Sequence, residues 1–166
     1  MQRVGGVPMS ELRTLANAVW FLFGGLVAGL LWSVAGVVCY AMVVTIPFGV
    51  ACFRIARFVF FPFGKELVDA RLLGERPWPG STIANLLWFA LCGWWLAISE
   101  ILIALGLLLS CVSIFPIFLG APVWAWTHLR LAGVVLWPLG KRIVTVEEAK
   151  VLRDLAARRR FAHLAK

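Results

Sequence analysis

The chain has 166 residues, of which 62% are hydrophobic and only 14% are charged, and its mean hydropathy is +0.92. An average soluble domain is roughly 45 to 50% apolar and about 25% charged, so this composition excludes a water-soluble globular protein. The net charge of +8 comes from segments that flank long apolar runs, which is typical of membrane topology and does not indicate a nucleic-acid partner.

The first apolar run begins behind Arg3 and Arg13 and has no charged residue from Thr14 to Phe53, a length of 40 residues. A signal peptide has an apolar region of only about 7 to 15 residues, so this run is expected to stay in the mature protein. The wider stretch from Asn17 to Phe61 holds 45 residues. At a rise of ~1.5 Å per residue this is about twice the ~30 Å hydrocarbon core, which predicts a helical hairpin.

The turn of this hairpin has two candidate positions. Pro47-Phe48-Gly49 is the strongest local breaker, but a turn there leaves a second leg of about fourteen residues, short enough to be re-entrant. A turn near residues 33–36 instead makes Pro47 a kink within a full second crossing. We favour two full crossings.

The second apolar run, from Pro77 to Leu129, repeats the first and carries one charged residue, Glu100. The segment beginning Ala16-Asn17-x-x-Trp20 recurs 68 residues later, and residues 53–68 recur 76 residues later as residues 129–144 with seven identities. The second copy therefore holds eight extra residues, which we place around residues 113–120. The signature residues of the repeat are Asn17, Trp20, Pro62, Gly64, Lys65, Asn85, Trp88, Pro138, Gly140 and Lys141.

The predicted fold is an all-α integral membrane protein of two tandem helical hairpins, about four crossings in all. The second legs are either full crossings with a kink or, if the turn lies at Pro47-Phe48-Gly49, re-entrant. The tail carries eight Lys and Arg from Lys141 onward, and cytoplasmic segments are enriched in such residues, so both termini are expected in the cytoplasm. Trp20, Trp88 and Trp137 are expected at the headgroup level. The predicted segments are a cytoplasmic N-terminal segment (1–14), membrane repeat 1 (15–68), a cytoplasmic linker (69–82), membrane repeat 2 (83–144) and a basic C-terminal helix (145–166).

The C-terminal helix is predicted to start at a capping box formed by Thr145 and Glu148. Its apolar residues at helical spacing predict an amphipathic helix with a stripe formed by Val146, Ala149, Leu152, Leu155 and Ala156. Arg158, Arg159 and Arg160 suit either anionic lipid headgroups or a solvated topology signal.

The repeated segments resemble the YccF-like bacterial inner-membrane component family, whose mark is a duplicated domain with an Asn-x-x-Trp start and a Trp-Pro-x-Gly-Lys ending. The corresponding motifs are Asn17 with Trp20, Ile46-Pro47-Phe48-Gly49, Gly93-Trp94-Trp95, and Trp137-Pro138-Leu139-Gly140-Lys141. The second copy lacks the Ile-Pro-x-Gly breaker and has Phe115-Pro116 and Gly120-Ala121-Pro122 instead, so its turn stays open. The resemblance covers residues 15 to 160 and implies a bacterial inner-membrane location, but no particular activity.

Three sets of residues are candidate sites within the membrane. Small residues spaced along one helix face allow close helix packing, within one subunit or between subunits: Gly25, Gly29, Ser33, Gly93 and Ala97. Arg54 and Arg57 share a helix face before Pro62, and Arg130 repeats Arg54, so they either reach for the headgroups or line an anion-attracting mouth.

Glu100 is the third candidate, since a carboxylate in the outer half of the bilayer costs about 2.5 to 3.5 kcal/mol to insert. It fits a pore-lining charge or a proton site. Equally, it fits a protonated acid hydrogen-bonded between helices, or a charge that reaches the periplasmic interface. His128 is expected to be a satisfied helix-surface residue and not a proton relay.

The sequence has no motif of an enzyme, a metal site or a cofactor site. G-x-S-x-G, H-E-x-x-H and Walker-type loops are absent. The four cysteines lie inside apolar stretches without a C-x-x-C pair and are expected to be small apolar residues: Cys39, Cys52, Cys92 and Cys111. No catalytic residue, metal or cofactor is expected.

The predicted function is a homo-oligomeric channel or pore that favours anions, in contact with the lipid bilayer. Four crossings enclose little polar interior, so an aqueous path would form where subunits meet. The alternative is a structural or accessory subunit of a larger membrane complex, without transport activity of its own.

Overall fold

The computed structural model of the chain describes residues 3–4, 7–111 and 120–164. It divides into two compact units. Unit 1 contains residues 1–78 and 140–166, and unit 2 contains residues 79–139. Residues 69–78 of the predicted linker and the C-terminal helix therefore pack with the first repeat, whereas residues 79–82 of the linker belong to unit 2.

Unit 1 is built on a helical hairpin whose first leg is one continuous helix of 33 residues, Met9–Ala41. Its elements in order are β1 (Arg3–Val4), β2 (Val7–Pro8), α1 (Met9–Trp20), a π-helical turn (Phe21–Gly25), α2 (Leu26–Ala41), a 3-10 turn (Val43–Thr45) and α3 (Ile46–Phe60). Strands β1 and β2, which precede the hairpin in the sequence, pair antiparallel.

The two legs of this first hairpin pack by placing glycines of one leg against aromatic rings of the other. A Cβ built on Gly29 would lie 2.3 Å from the ring of Phe60, and one on Gly36 would lie 3.0 Å from the ring of Phe53. Gly49 of α3 faces the ring of Tyr40 in the same way, at 2.4 Å. The order of these contacts shows that α2 and α3 run antiparallel, and they close the space between the legs.

The hairpin turn lies at Met42–Thr45, so our placement of it at residues 33–36 is wrong. Helix α2 continues through Ser33 and Gly36, because Gly36 is buried by a ring of α3 and the backbone has no reason to break there. Pro47 stands in the first turn of α3, where its missing N–H is not needed. The second leg, Val43–Phe60, still has 18 residues, about 27 Å at ~1.5 Å per residue, and is long and apolar enough to cross a membrane.

Unit 2 repeats the helical hairpin. Its elements are α4 (Ser81–Trp88), a π-helical turn (Phe89–Gly93), α5 (Trp94–Ser110) and α6 (Ala121–Leu136). The first leg, Ser81–Ser110, has 30 residues and is apolar enough to span a membrane. Among the described residues three helices meet that criterion, the other two being the legs of the first hairpin.

The eight extra residues of the second copy fall between the two legs of this second hairpin, since α5 ends at Ser110 and α6 begins at Ala121. Gly120 has a φ of +82° and precedes α6, and Pro122 stands in the first turn, so Gly120-Ala121-Pro122 starts the second leg as Pro47 does in the first hairpin. Residues 113–119, including Phe115 and Pro116, lie outside the described residues.

A short sheet and the C-terminal helix complete unit 1. Strands β3 (Lys65–Asp69) and β4 (Lys141–Thr145) pair antiparallel with Leu67 opposite Ile143 at the centre, and a 3-10 turn (Ala70–Leu73) follows β3. The sequence did not predict this sheet, because each strand has only five residues and its partner lies on the other copy of the repeat. Helix α7 (Val146–Leu164) follows β4 directly.

The start of α7 confirms the predicted capping box. Thr145 Oγ1 accepts from the amide of Glu148 at 3.1 Å, and Glu148 Oε2 accepts from the amide of Thr145 at 2.7 Å. The predicted apolar stripe is narrower than expected, because Ala149 is buried and Leu152 and Ala156 are half-buried, whereas Val146 and Leu155 are exposed.

Candidate functional site

Asn17 joins the two ends of the first hairpin. Its side chain donates from Nδ2 to the carbonyl of Phe63 at 3.0 Å and accepts from the amide of Phe63 at Oδ1, also at 3.0 Å. Phe63 lies in the turn that follows Pro62, beyond the end of α3. The Asn side chain thus supplies both hydrogen bonds that the backbone of this residue would otherwise lack.

The second repeat makes the same contact with the corresponding residues. Asn85 donates to the carbonyl of Leu139 at 3.1 Å and accepts from its amide at 3.0 Å, and its side chain is almost fully buried. We call these two arrangements the Asn clamps. Each clamp joins a residue near the start of the first leg to the turn that follows the second leg. The chain therefore enters and leaves each hairpin at the same end of the helix pair.

Trp20 and Trp88 complete the clamps by capping the last turn of the second leg. Trp20 Nε1 donates to the carbonyl of Val59 at 2.6 Å, and Trp88 Nε1 donates to the carbonyl of Val135 at 2.7 Å. In a continuing helix the Val59 carbonyl would accept from the amide of residue 63, but that amide is bonded to Asn17, so the indole takes its place. Both rings are buried within the protein, whereas Trp137 is 38% exposed. That these three tryptophans lie at the headgroup level stays a prediction.

The remaining signature residues shape the turn after each hairpin. Gly64 and Gly140 have φ values of +88° and +85°, which favour glycine. They follow Pro62 and Pro138 and lead into Lys65 and Lys141, the first residues of β3 and β4. The repeat signature therefore describes a way of closing a membrane hairpin.

A cavity lined by four cations lies where α3 meets the sheet of unit 1. It has a volume of about 560 Å³. We call it the basic cavity; its lining residues are Arg54, Arg57, Phe60, Phe61, Lys65, Arg142 and Ile143. Arg54 and Arg57 come from one face of α3, as their spacing predicts, and the pairing of β3 with β4 brings Lys65 and Arg142 to the same place.

One carboxylate partly balances these four cations. Glu75 accepts from Arg142 at 3.1 Å and 2.6 Å with its two oxygens. Arg54 is half-buried and lies within electrostatic reach of both Arg142 and Glu75. The ammonium of Lys65 lies 5.8 Å from the ring centre of Phe61, a cation–π arrangement. Both residues line the basic cavity.

Arg130 is not among the residues of the basic cavity. It lies on α6 of unit 2, half-buried, at the position that Arg54 occupies on α3. That Arg130 joins Arg54 and Arg57 around one mouth stays a prediction.

Glu100 is held between the two legs of the second hairpin. Its Oε2 lies 2.5 Å from Nδ1 of His128, and the two side chains are only 13% and 14% exposed. Glu100 comes from α5 and His128 from α6, so the acid bonds across the interhelical contact. His128 has a hydrogen-bonding partner, as expected, but it lies between the two helices and not on the helix surface. The same contact places the carboxylate among protein groups instead of lipid.

The small-residue face is also buried inside its own units. Gly25 and Gly93 lie against the rings of Trp20 and Trp88, Gly29 lies against Phe60, and Ala97 is 4% exposed. Ser33 is half-buried and donates to the carbonyl of Gly29 at 2.7 Å. These residues pack the hairpins themselves, which leaves larger apolar side chains for the outer surface.

The basic tail docks on unit 1 through ion pairs. Arg13 donates to Glu147 at 2.6 Å and holds the pKa of that carboxyl below its ordinary value, chiefly through this hydrogen bond. Arg153 pairs with Glu66 of β3. Further along the helix Arg158 and Arg159 are exposed, and Arg159 also lines a cavity of about 370 Å³ together with Arg71; the side chain of Arg160 lies outside the described residues.

The sequence pattern does not indicate Arg142 or Glu75 as a member of a site, and it indicates Lys65 only as part of the repeat signature. Their positions in segments rich in basic residues gave a weak signal, because the contact depends on a sheet between strands far apart in the chain. In residues 3–4, 7–111 and 120–164 no group of three or more His, Cys, Asp or Glu side chains is placed to hold a metal ion. The four cysteines form no disulfide.

Comparison with known proteins agrees with the duplicated architecture. Residues 15–65 and 83–141 each match the inner membrane component domain, YccF. The chain is 32% identical over 155 residues to the inner membrane protein YccF of Escherichia coli strain K12, covering 90% of this chain and 99% of that protein, and equally to the protein of that name from Shigella flexneri. No solved structure matches the chain.

Proposed function

Because the chain belongs to the YccF inner membrane component family, we propose that this inner membrane protein assembles as a homo-oligomer around an anion-favouring channel, with the basic cavity at its cytoplasmic mouth. The observation that carries the proposal is the convergence of Arg54, Arg57, Lys65 and Arg142 on one open cavity at the end of a membrane helix. Rings of fixed positive charge at a pore entrance attract anions and repel cations.

The packing of the hairpins supports placing the aqueous path between copies of the chain. In the first hairpin, rings fill the space beside Gly29, Gly36 and Gly49. In the second, Ala97, Ala104 and Ala125 are at most 4% exposed. Close packing at these positions favours a conducting path between subunits over one within a hairpin.

The contacts within unit 1 support one side of the membrane for all the basic segments. The N-terminal helix pairs with the tail through Arg13 and Glu147, and the linker pairs with β4 through Glu75 and Arg142. Since cytoplasmic segments are enriched in Lys and Arg, we place the two termini and the linker in the cytoplasm.

The test is ion flux through purified protein reconstituted in vesicles. We expect conductance with a preference for chloride over potassium, which Arg57→Glu weakens or reverses because it places a negative charge at the mouth. Arg57 is exposed, so this change leaves the fold intact. Arg76→Glu is the matched control, since Arg76 is exposed on the linker and does not line the cavity.

Two results would contradict the proposal. Selectivity that is unchanged by both Arg54→Ala and Arg57→Glu would remove the basic cavity from the path. No conductance, together with a stable membrane partner that co-purifies, would favour the accessory-subunit alternative.

A further inference from the structure

The basic cavity carries more positive charge than its own carboxylate neutralises. Four cations line about 560 Å³, and among the residues that the structure describes the lining itself includes no carboxylate; Glu75 pairs with one of the four, Arg142. Arg54 is half-buried close to Arg142, so two like charges are held near each other in partly apolar surroundings. Such an arrangement is destabilised by self-repulsion, and a bound anion relieves it.

The kinds of cation favour an oxyanion over a halide. A guanidinium presents its donors as a planar fork that matches two oxygens of one group, whereas an ammonium acts as a point charge. Three of the four cations are arginines, and Lys65 adds a point charge over the ring of Phe61. A phosphate group offers several oxygens to several forks at once and carries the charge to balance them.

The place of the cavity in the fold indicates where such a group comes from. Arg54 and Arg57 lie on the last two turns of α3, a helix long enough to cross the membrane, and Phe60 and Phe61 form an apolar wall beside them. The end of a membrane helix lies at the depth of the lipid headgroups, and basic pockets there bind anionic headgroups. The same opening also faces water, from which free phosphate can enter.

We propose that the basic cavity binds a phosphate group, held by the forks of Arg54 and Arg57, with Lys65 and the guanidinium of Arg142, one edge of which is bonded to Glu75, beside it. The phosphate belongs to an anionic phospholipid headgroup or to a free phosphate ion. The inference rests on the proposed function only in identifying this cavity with the channel mouth, since binding itself requires no conduction.

The first arm of the test uses inorganic phosphate. The melting temperature of the delipidated protein in detergent is measured against phosphate concentration, with sodium chloride at matched ionic strength as reference. A rise in melting temperature specific to phosphate is expected, with an apparent affinity that falls roughly tenfold in Arg57→Gln, because a charge-assisted hydrogen bond is lost. Arg76→Gln, which removes one exposed charge outside the cavity, should leave the affinity unchanged.

Arg57→Lys separates recognition by a fork from attraction by charge. It keeps the charge but not the paired donors, so it should also weaken binding several-fold. If Arg57→Lys and Arg76→Gln bind as well as the unchanged protein, the cavity attracts anions only through net charge, and the proposal is overturned.

The second arm uses lipid. Native mass spectrometry of the delipidated protein titrated with phosphatidylglycerol or with phosphatidylcholine should show retention of the anionic lipid, reduced by Arg57→Gln and not by Arg76→Gln. Lipid retention without a response to inorganic phosphate identifies a headgroup site, and the reverse identifies a free-phosphate site. The absence of both responses overturns the proposal.

The outcome is separable from that of the channel test. Phosphate binding without ion flux leaves this inference standing and removes the channel. Flux with Arg57-dependent selectivity, but without phosphate or lipid binding, supports the channel and overturns the proposed phosphate site.

Discussion

At the scale of single residues, each Asn clamp satisfies backbone groups at the end of the second leg with a side chain from the first leg, which a local helix cap does not do. Pro62 has no N–H and ends α3, so the carbonyls of the last turn lose their usual donors. A buried backbone without partners costs free energy comparable to lost hydrogen bonds, and more so inside a membrane. Asn17 and Trp20 satisfy these groups from the other end of the hairpin, and Asn85 and Trp88 do so in the second copy.

The first prediction compares the two clamps. Asn85→Ala removes two hydrogen bonds at a site that is 1% exposed, so it should lower the free energy of unfolding by about 2 to 4 kcal/mol. Asn17→Ala should cost less, because Asn17 is only half-buried and water replaces part of the loss. Equilibrium unfolding in mixed detergent micelles measures both variants. A neutral Asn85→Ala would show that the clamp does not stabilise the second hairpin, and equal costs in the two variants would show that burial does not set the difference between the clamps.

The second prediction concerns the pair of Glu100 and His128. Glu100→Leu should destabilise the protein by about 1 to 3 kcal/mol, because it removes the partner of His128 Nδ1 between the helices. Glu100→Gln keeps a hydrogen-bonding group and should change stability by less than about 1 kcal/mol. Adding His128→Leu to Glu100→Leu should cost less than the sum of the single changes by about 1 to 2 kcal/mol.

A gain in stability from Glu100→Leu alone would contradict this pairing. It would mean that the carboxylate faces lipid, where removing it recovers the insertion cost of about 2.5 to 3.5 kcal/mol.

At the scale of elements, the first hairpin is closed by glycines on one leg and rings on the other. Such contacts need no polar groups, which suits a membrane, where no hydrophobic force acts between helices and close packing drives their association. The π-helical turns at Phe21–Gly25 and Phe89–Gly93 belong to the same design, because each follows the capping tryptophan and brings a glycine against its ring. A π-turn is one inserted residue, and it resets which face of the helix meets the other leg.

The third prediction tests this packing with two glycines of the same leg. Gly29→Ala places a methyl group 2.3 Å from the ring of Phe60, so the ring must move, and a cost of about 1 to 3 kcal/mol is expected. Gly24→Ala meets no atom within 4 Å and should be neutral or slightly stabilising. Adding Phe60→Leu to Gly29→Ala should recover part of the loss in the same unfolding measurement. Equal effects of the two alanines would argue against packing by close approach.

At the scale of the whole molecule, the β3–β4 sheet ties the end of the second repeat to the end of the first. Residues 140–166 follow the second hairpin in sequence but pack within unit 1, through the sheet and the ion pairs of the tail. The basic cavity depends on this return, since Arg142 reaches it only through β4.

The fourth prediction concerns topology. Alkaline phosphatase fused after residue 75 or at the C-terminus should be inactive, whereas a cytoplasmic reporter at the same points should be active, because both ends of each hairpin lie together. Phosphatase activity at only one of the two points would mean an odd number of crossings between them, and activity at both would contradict a cytoplasmic location of the linker and the C-terminus.

The sequence by itself determined the membrane environment, the duplication, the two hairpins and the capping box of the last helix. Each of these follows from the composition, from a repeat or from a spacing of a few residues. Such local features do not depend on how distant parts of the chain pack. The shared face of Arg54 and Arg57 was likewise predictable, because helical spacing decides it.

Only the tertiary structure decided what the signature residues do and which charges meet. The hairpin turn lies at Met42–Thr45, and Gly36, which looks like a turn residue in the sequence, instead lets α2 pack against the ring of Phe53, a contact that no local pattern reveals. Asn17 bonds to Phe63 and Glu100 bonds to His128, and Lys65 lines the same cavity as Arg142. These residues are 28 to 77 positions apart in the sequence. Contacts over such distances arise from packing between elements, so they depend on where whole helices and strands come to rest and not on the residues beside them in the chain.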